Sequence, residues 1–252
     1  MQHKRIIIPA LGVLLVVAIA LVCGCGDTGT DLSYSNSGTT PVVTFNRYQA
    51  IAPIYNSSAP VTIIYGDGKA TQKKGPYEFT TGSLTGDGLS GVLQSLSEEG
   101  FFELEGEYSG KPMPGGVTEV LVVRLSDKTY EISVQSGQGP PNWEKIVSTV
   151  TDLETSGPQE YIPDTILLFV KAEPGAPSAP NVMTWPGDSE DLARASSAES
   201  NGVKLEGEEA SVAWKAVQES MKGETEVTWK ANGGFYTYVY AVPVFPGIPE
   251  QR

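Results

Sequence analysis

Histidine and cysteine, the usual carriers of nucleophilic, acid–base and metal chemistry, are confined to the first 25 positions, as His3, Cys23 and Cys25. Everything downstream must work with carboxylates, Lys, Ser, Thr or Tyr. That excludes Ser-His-Asp and Cys-His nucleophile systems and His- or Cys-ligated metals from the body of the protein. It also excludes a disulfide framework. Ser-Lys chemistry places its pair one helical turn apart as Ser-x-x-Lys, a spacing that never occurs here; Ser211 and Lys215 are one residue too far apart. A glycosidase needs two converging carboxyl groups, and 30 acidic residues nominate no particular pair. No metal or cofactor is expected.

Three groupings remain. Glu103, Glu105 and Glu107 alternate with Leu104 and stand before Tyr108. On a strand the three carboxylates share one face, which suits a Ca²⁺ site or an acid/base pair. A half-buried strand shows the same alternation with its glutamates simply solvated, and that reading is preferred. Asp188-Ser189-Glu190-Asp191 packs three acids into four residues. It lacks the spacing, turn glycine and distal Glu of a calcium loop, so it reads as the acidic start of a helix. Tyr236, Tyr238 and Tyr240 recur at every second position, with Trp229 on the expected partner strand. An aromatic row of that kind stacks on sugar rings or anchors a peptide, because Tyr has a rigid apolar face and a polar tip. The competing reading is an ordinary cross-strand cluster that holds a hairpin together. These three tyrosines are the candidate ligand surface.

The N-terminus carries an address. Lys4 and Arg5 precede Ile6–Val22, an uncharged aliphatic run broken only by Pro9 and Gly12. A charged start, an apolar middle and a small-residue end make a secretory signal. Val22-Cys23-Gly24-Cys25 closes it and resembles the lipobox of bacterial lipoproteins, with small Gly24 directly ahead of Cys25. Val22 is too bulky for the same position ahead of Cys23. The resemblance therefore implies signal removal over residues 1–24 and lipid attachment at Cys25, since two or more acyl chains give stable anchoring. Without Lys4 and Arg5, 15 cations face 30 acids, a net charge of −15. That argues against a nucleic-acid partner, whose phosphates must be neutralised by clustered Lys and Arg. Residues 25–41, rich in Thr, Ser, Gly and Asn, read as a flexible tether.

The elements that must position any site follow from periodicity. Ala59–Tyr65 reads as a strand, Gly66-Asp67-Gly68 as its turn and Lys69–Phe79 as its return, with a loop over Thr80–Gly88. Leu89, Val92, Leu93 and Leu96 fall on one helical face, ended by Gly100. Thr118–Leu125 and Thr129–Val134 read as a strand pair. Pro140-Pro141 opens a helix striped by Trp143, Ile146, Val147, Val150 and Leu153, and Gly157-Pro158 ends it. Thr165–Lys171 is a buried strand, residues 172–180 a Pro-rich connector, and Asp188–Ser197 and Glu208–Met221 helices. Glu224–Ala231 and Phe235–Phe245 form a final hairpin. The pattern predicts an α+β fold, with antiparallel sheets and helices packed on one face. Two small α+β units are expected, over residues 42–157 and 158–252. Ile63-Ile64-Tyr65-Gly66-Asp67-Gly68, Gly100-Phe101-Phe102-Glu103-Leu104 and Tyr108 resemble a domain of unknown function found in bacterial lipoproteins. Those residues pack and turn the chain, so the resemblance implies a fold and no activity.

The sequence thus predicts an extracytoplasmic lipoprotein on the cell membrane, probing an envelope protein or glycan with a non-enzymatic binding or structural module. The alternative is an envelope hydrolase that works with carboxylates.

Overall fold

The structure, a computed structural model, describes residues 30–49, 59–110, 115–173, 181–198, 202–222 and 227–249. The expected signal, Cys25 and most of the Pro-rich connector lie outside these residues. The fold is α+β.

Eight strands make the first sheet: β1 (Pro41–Gln49), β2 (Thr62–Tyr65), β3 (Lys69–Gly75), β4 (Glu78–Leu84), β5 (Glu107–Tyr108), β6 (Val117–Arg124), β7 (Thr129–Gln135) and β8 (Thr155–Glu160). Their spatial order is β5-β7-β6-β1-β2-β3-β4-β8. Helices α1 (Gly88–Glu98) and α2 (Trp143–Thr151) lie on one face. Leu89, Leu93 and Leu96 from α1 and Trp143, Ile146, Val147 and Val150 from α2 are buried there with Phe45, Ile64, Leu121, Val123 and Ile132. Gly100 ends α1 in the left-handed region, at φ 72°. A glycine adopts that backbone without the Cβ penalty of other residues. The Asn142 amide, just ahead of α2, donates to the Glu99 carbonyl, and Lys145 pairs with Glu99. These contacts lock the two helices together.

Five strands make the second sheet: β9 (Thr165–Glu173), β10 (Val182–Thr184), β11 (Val203–Glu206), β12 (Thr228–Ala231) and β13 (Gly234–Pro243), in the order β10-β12-β13-β9-β11. Helices α3 (Ser189–Ser197) and α4 (Gly207–Ser220) pack on it. Asp188 caps α3 by accepting from the Glu190 amide at 2.9 Å. Asp191, almost fully buried, is ion-paired with Arg194. The acidic run is thus a helix start.

The two units share a core. In β2, Ile64 points to α1 and α2, while Ile63 and Tyr65 point the other way with Tyr77 and Phe79. There they meet the second unit. Fully buried Trp214 of α4 stands edge-on to Tyr77, with ring centres 5.3 Å apart, and tilted against Phe79 at 5.9 Å. The Ala241 amide donates to the Tyr77 hydroxyl at 3.3 Å. Phe245 sits between Phe79 and Tyr161.

Several local expectations change. The sheets are mixed rather than antiparallel, because β5 pairs with β7 and β10 with β12 in parallel. Lys69–Phe79 is two strands, since Pro76-Tyr77 turns the chain between β3 and β4, and the expected loop after Phe79 is the body of β4. Gly157-Pro158 lies inside β8, paired to β4, so the first sheet runs past residue 157 to Glu160. The stretch expected as a flexible tether is, over residues 30–40, laid on the first unit. Leu32 and Tyr34 pack against its core, and the Ser126 amide donates to the Ser33 carbonyl at 2.8 Å.

Candidate functional site

The glutamate grouping does not form. Phe101–Glu103 is a single 3-10 turn, Gly106 breaks the chain at φ 69°, and only Glu107 reaches a strand. Glu103, Glu105 and Glu107 are all exposed. Alternation in the sequence is therefore not alternation on a strand. Among the described residues, no three His, Cys, Asp or Glu side chains are grouped to hold a metal ion.

The tyrosine row is divided between two faces. On β9, Ile166, Leu168 and Val170 point into the shared core, beneath α3 and α4. Leu167, Phe169 and Lys171 alternate with them and so belong to the opposite, outer face. Strand β13 pairs with β9 in register, Tyr236 with Ala172, Thr237 with Lys171, Tyr240 with Phe169 and Val242 with Leu167. Two residues, Tyr238 and Val239, then stand against Val170 alone. This is a β-bulge, and it shifts which side chains face the core. Tyr236 is buried inward beside Trp229; Val239 and Ala241 are also inward. Tyr240 lies outward, stacked on Phe169 with ring centres 4.9 Å apart and planes 6° from parallel. Partial burial pushes its phenol pKa up.

Tyr238 is the extra residue of the bulge. Its φ is +50°, a conformation rare for a bulky side chain, and the side chain is 58% exposed. The Lys171 ammonium lies 5.3 Å from its ring centre. Next to it, the Thr237 hydroxyl is buried without a hydrogen-bond partner. Lys230, exposed and paired in register with Phe235, adds a second cation to this face. At the edge of the sheet stands Val182, 45% exposed. The result is an aromatic and basic face on a strongly acidic protein. Sequence reasoning found its tyrosines but not Phe169 and Lys171, whose place beside them follows from the β9–β13 register alone.

Two concavities lie elsewhere. A cleft of about 730 Å³ runs beside the start of α2, lined by Arg47, Glu119, Ser136, Trp143, Glu144 and Thr151. At its centre, Glu119 accepts from Arg47 through one oxygen, at 2.6 and 2.9 Å, and from the Trp143 indole through the other, at 2.7 Å. One oxygen ties β6 to β1 through Arg47 and the other holds α2 to the sheet through Trp143, and no second carboxylate converges on them within that network. A groove of about 770 Å³ between α1 and α2 is lined mainly by small polar residues such as Ser90, Gly91, Ser95 and Thr149. It offers neither an aromatic platform nor a cation.

No family model, curated protein or solved structure matches the chain.

Proposed function

We propose that this is an extracytoplasmic lipoprotein, anchored in the cell membrane through lipidated Cys25, whose folded part is a non-enzymatic binding module for a glycan of the cell envelope. One observation carries the reading: an aromatic side chain held outward at a left-handed backbone position. Such a conformation costs about 1–3 kcal/mol and persists where the surroundings impose it, typically at ligand sites. The strain at Tyr238 adjoins the unpaired Thr237 hydroxyl, so two unfavourable features meet at one point of the sheet. The exposed ring gives a saccharide an apolar face to stack on, and Lys171 and Lys230 give its hydroxyl or acidic groups donors. A carboxylate hydrolase draws no comparable support, because the acids that the sequence brings forward stand apart.

The test is cosedimentation of the full chain, purified in detergent, with insoluble envelope polysaccharide. Tyr238→Ala should weaken binding about tenfold, the scale of one lost aromatic contact, with an unchanged melt. Equal binding by the variant, or none by the parent chain, sinks the reading. For the anchor, Cys25→Ser should abolish fatty-acid labelling while Cys23→Ser leaves it. The reverse pattern would move the lipid to Cys23.

A further inference from the structure

Residues 30–40 form a strap across one end of the eight-stranded sheet. Ser33 is held by the Ser126 amide in the β6–β7 turn. The Gly66 amide, in the β2–β3 turn, donates to the Ser37 and Thr40 carbonyls at 3.1 and 3.2 Å. A Cβ on Gly66 would stand 1.7 Å from the Ser35 carbonyl oxygen, so the strap lies directly on that glycine's backbone. At its far end the strap meets the C-terminal segment, where a Cβ on Gly247 would come within 2.5 Å of the Thr39 oxygen. The strap thus joins both units at the end of the sheet where β1 and β3 begin and β2 and β6 finish.

A docked strap is not a spacer. Only eight residue steps separate Cys25 from Ser33. Whatever path they take, they span at most about 28 Å, and a flexible chain of that length averages about 16 Å. We infer that the strapped end of the first sheet, with its β2–β3 and β6–β7 turns, is the surface that faces the lipid bilayer, held within about 30 Å of it. This rests on the proposed anchoring at Cys25. Asp31, Asp67 and Asp127 balance Lys69, Arg124 and Lys128 at this end, so the leash holds it there and attraction to anionic headgroups does not. The Tyr238 bulge occupies the other part of β13. Pro243 leads toward Gly247 and the strap, while Tyr238 lies five strand residues back, about 17 Å further off. The short leash therefore favours orientations in which the aromatic face is the part further from the membrane.

The test uses the lipidated full chain in phosphatidylcholine vesicles that contain an acceptor-labelled lipid. Processing at Cys25 removes Cys23, and acylation blocks Cys25, so single cysteines introduced elsewhere label cleanly. A donor dye at Asp127→Cys should transfer energy to the bilayer at least about twice as efficiently as one at Lys230→Cys. Inserting twenty Gly/Ser residues between Gly26 and Asp27 should lower transfer from Asp127→Cys and bring the two sites close together. Mass spectrometry of the Cys25 peptide from the same preparation separates the two levels of the argument. A chain without lipid that stays off the vesicles overturns the anchoring and, with it, this orientation. Lipidated chains that show equal transfer from the two sites, or no response to the insertion, overturn the orientation alone.

Discussion

The two sheets are built from similar strands but are covered differently. The eight-stranded sheet is packed on both faces, by α1 and α2 on one side and by the second unit against β2, the β3–β4 turn and β4 on the other. In the five-stranded sheet both helices lie on a single side. The consequence shows in the side chains. Thr62–Tyr65 of β2 are buried without exception, whereas β13, mostly buried or half-buried, opens to solvent at Tyr238. A doubly covered sheet has no room for a strained, exposed aromatic residue. A singly covered one does, and the proposed ligand surface lies there.

The strongest way to break this contrast is to remove what joins the sheets. Trp214→Ala should destabilise the protein by about 3–5 kcal/mol, as expected for emptying a fully buried aromatic site. Because Trp214 touches Tyr77 and Phe79, the loss should reach both units. Hydrogen exchange should show lowered protection in β2–β4 as well as β9 and β13. Protection retained in the first sheet would mean that the units are energetically separate. Next in size is Tyr236→Ala, which opens a cavity beside Trp229 and should lose about 3 kcal/mol by chemical denaturation. A near-neutral result would place Tyr236 on the outer face and restore the three-tyrosine row.

Alkaline pH probes the junction more gently. Burial, with Tyr161 and Asp67 nearby, raises the Tyr65 phenol pKa, and burial with Asp164 pushes Tyr161 up to about 12. A raised folded-state pKa means that the native protein keeps a proton the unfolded chain gives up above pH about 10. The stabilisation from both groups is therefore complete below that point and falls away as pH rises toward 12. Lys73, its pKa lowered by burial, acts in the opposite sense and has gained all it can by the ordinary lysine value of 10.5. The melting temperature should drop above pH about 10, and Tyr161→Phe should flatten that drop. An identical alkaline profile in the variant would remove Tyr161 from the account.

The smallest change is expected at Tyr238. Tyr238→Gly relieves the left-handed strain at an exposed site and should leave stability unchanged or raise it by up to about 1 kcal/mol. Paired with the loss at Tyr236, this makes neighbouring tyrosines differ by several kcal/mol in one strand. A marked loss of stability at Tyr238 would show that its ring packs rather than recognises.

Elements with their own hydrophobic period were legible in the sequence. The stripe of Leu89, Leu93 and Leu96 and that of Trp143, Ile146 and Val150 locate α1 and α2, and Thr165–Lys171 is recognisable as a buried strand from its apolar run. What was hidden depends on partners. β8 (Thr-Ser-Gly-Pro-Gln-Glu) has no apolar pattern and exists because β4 pairs with it. The strap is held largely through backbone groups, which composition does not register. The fate of the tyrosine row turned on a single extra residue in β13, and a bulge without glycine leaves no mark in the sequence. For the same reason the pairing of Phe169 with Tyr240 and of Lys171 with Tyr238 could not be anticipated.

The outermost strands of the larger sheet have a consequence for proteins crowded on a membrane. At one border stands β5, two residues long; at the other stands β8, fully polar and carrying Gly157 and Pro158. Proline offers no amide to a further strand, and a two-residue strand offers almost nothing to copy. The anchoring proposed at Cys25 would confine molecules to a plane, where neighbours collide far more often than in free solution. At the β8 border, then, such an encounter would find a proline in place of an amide to copy, while β5 shields Ser133 and Val134 of β7 at the other.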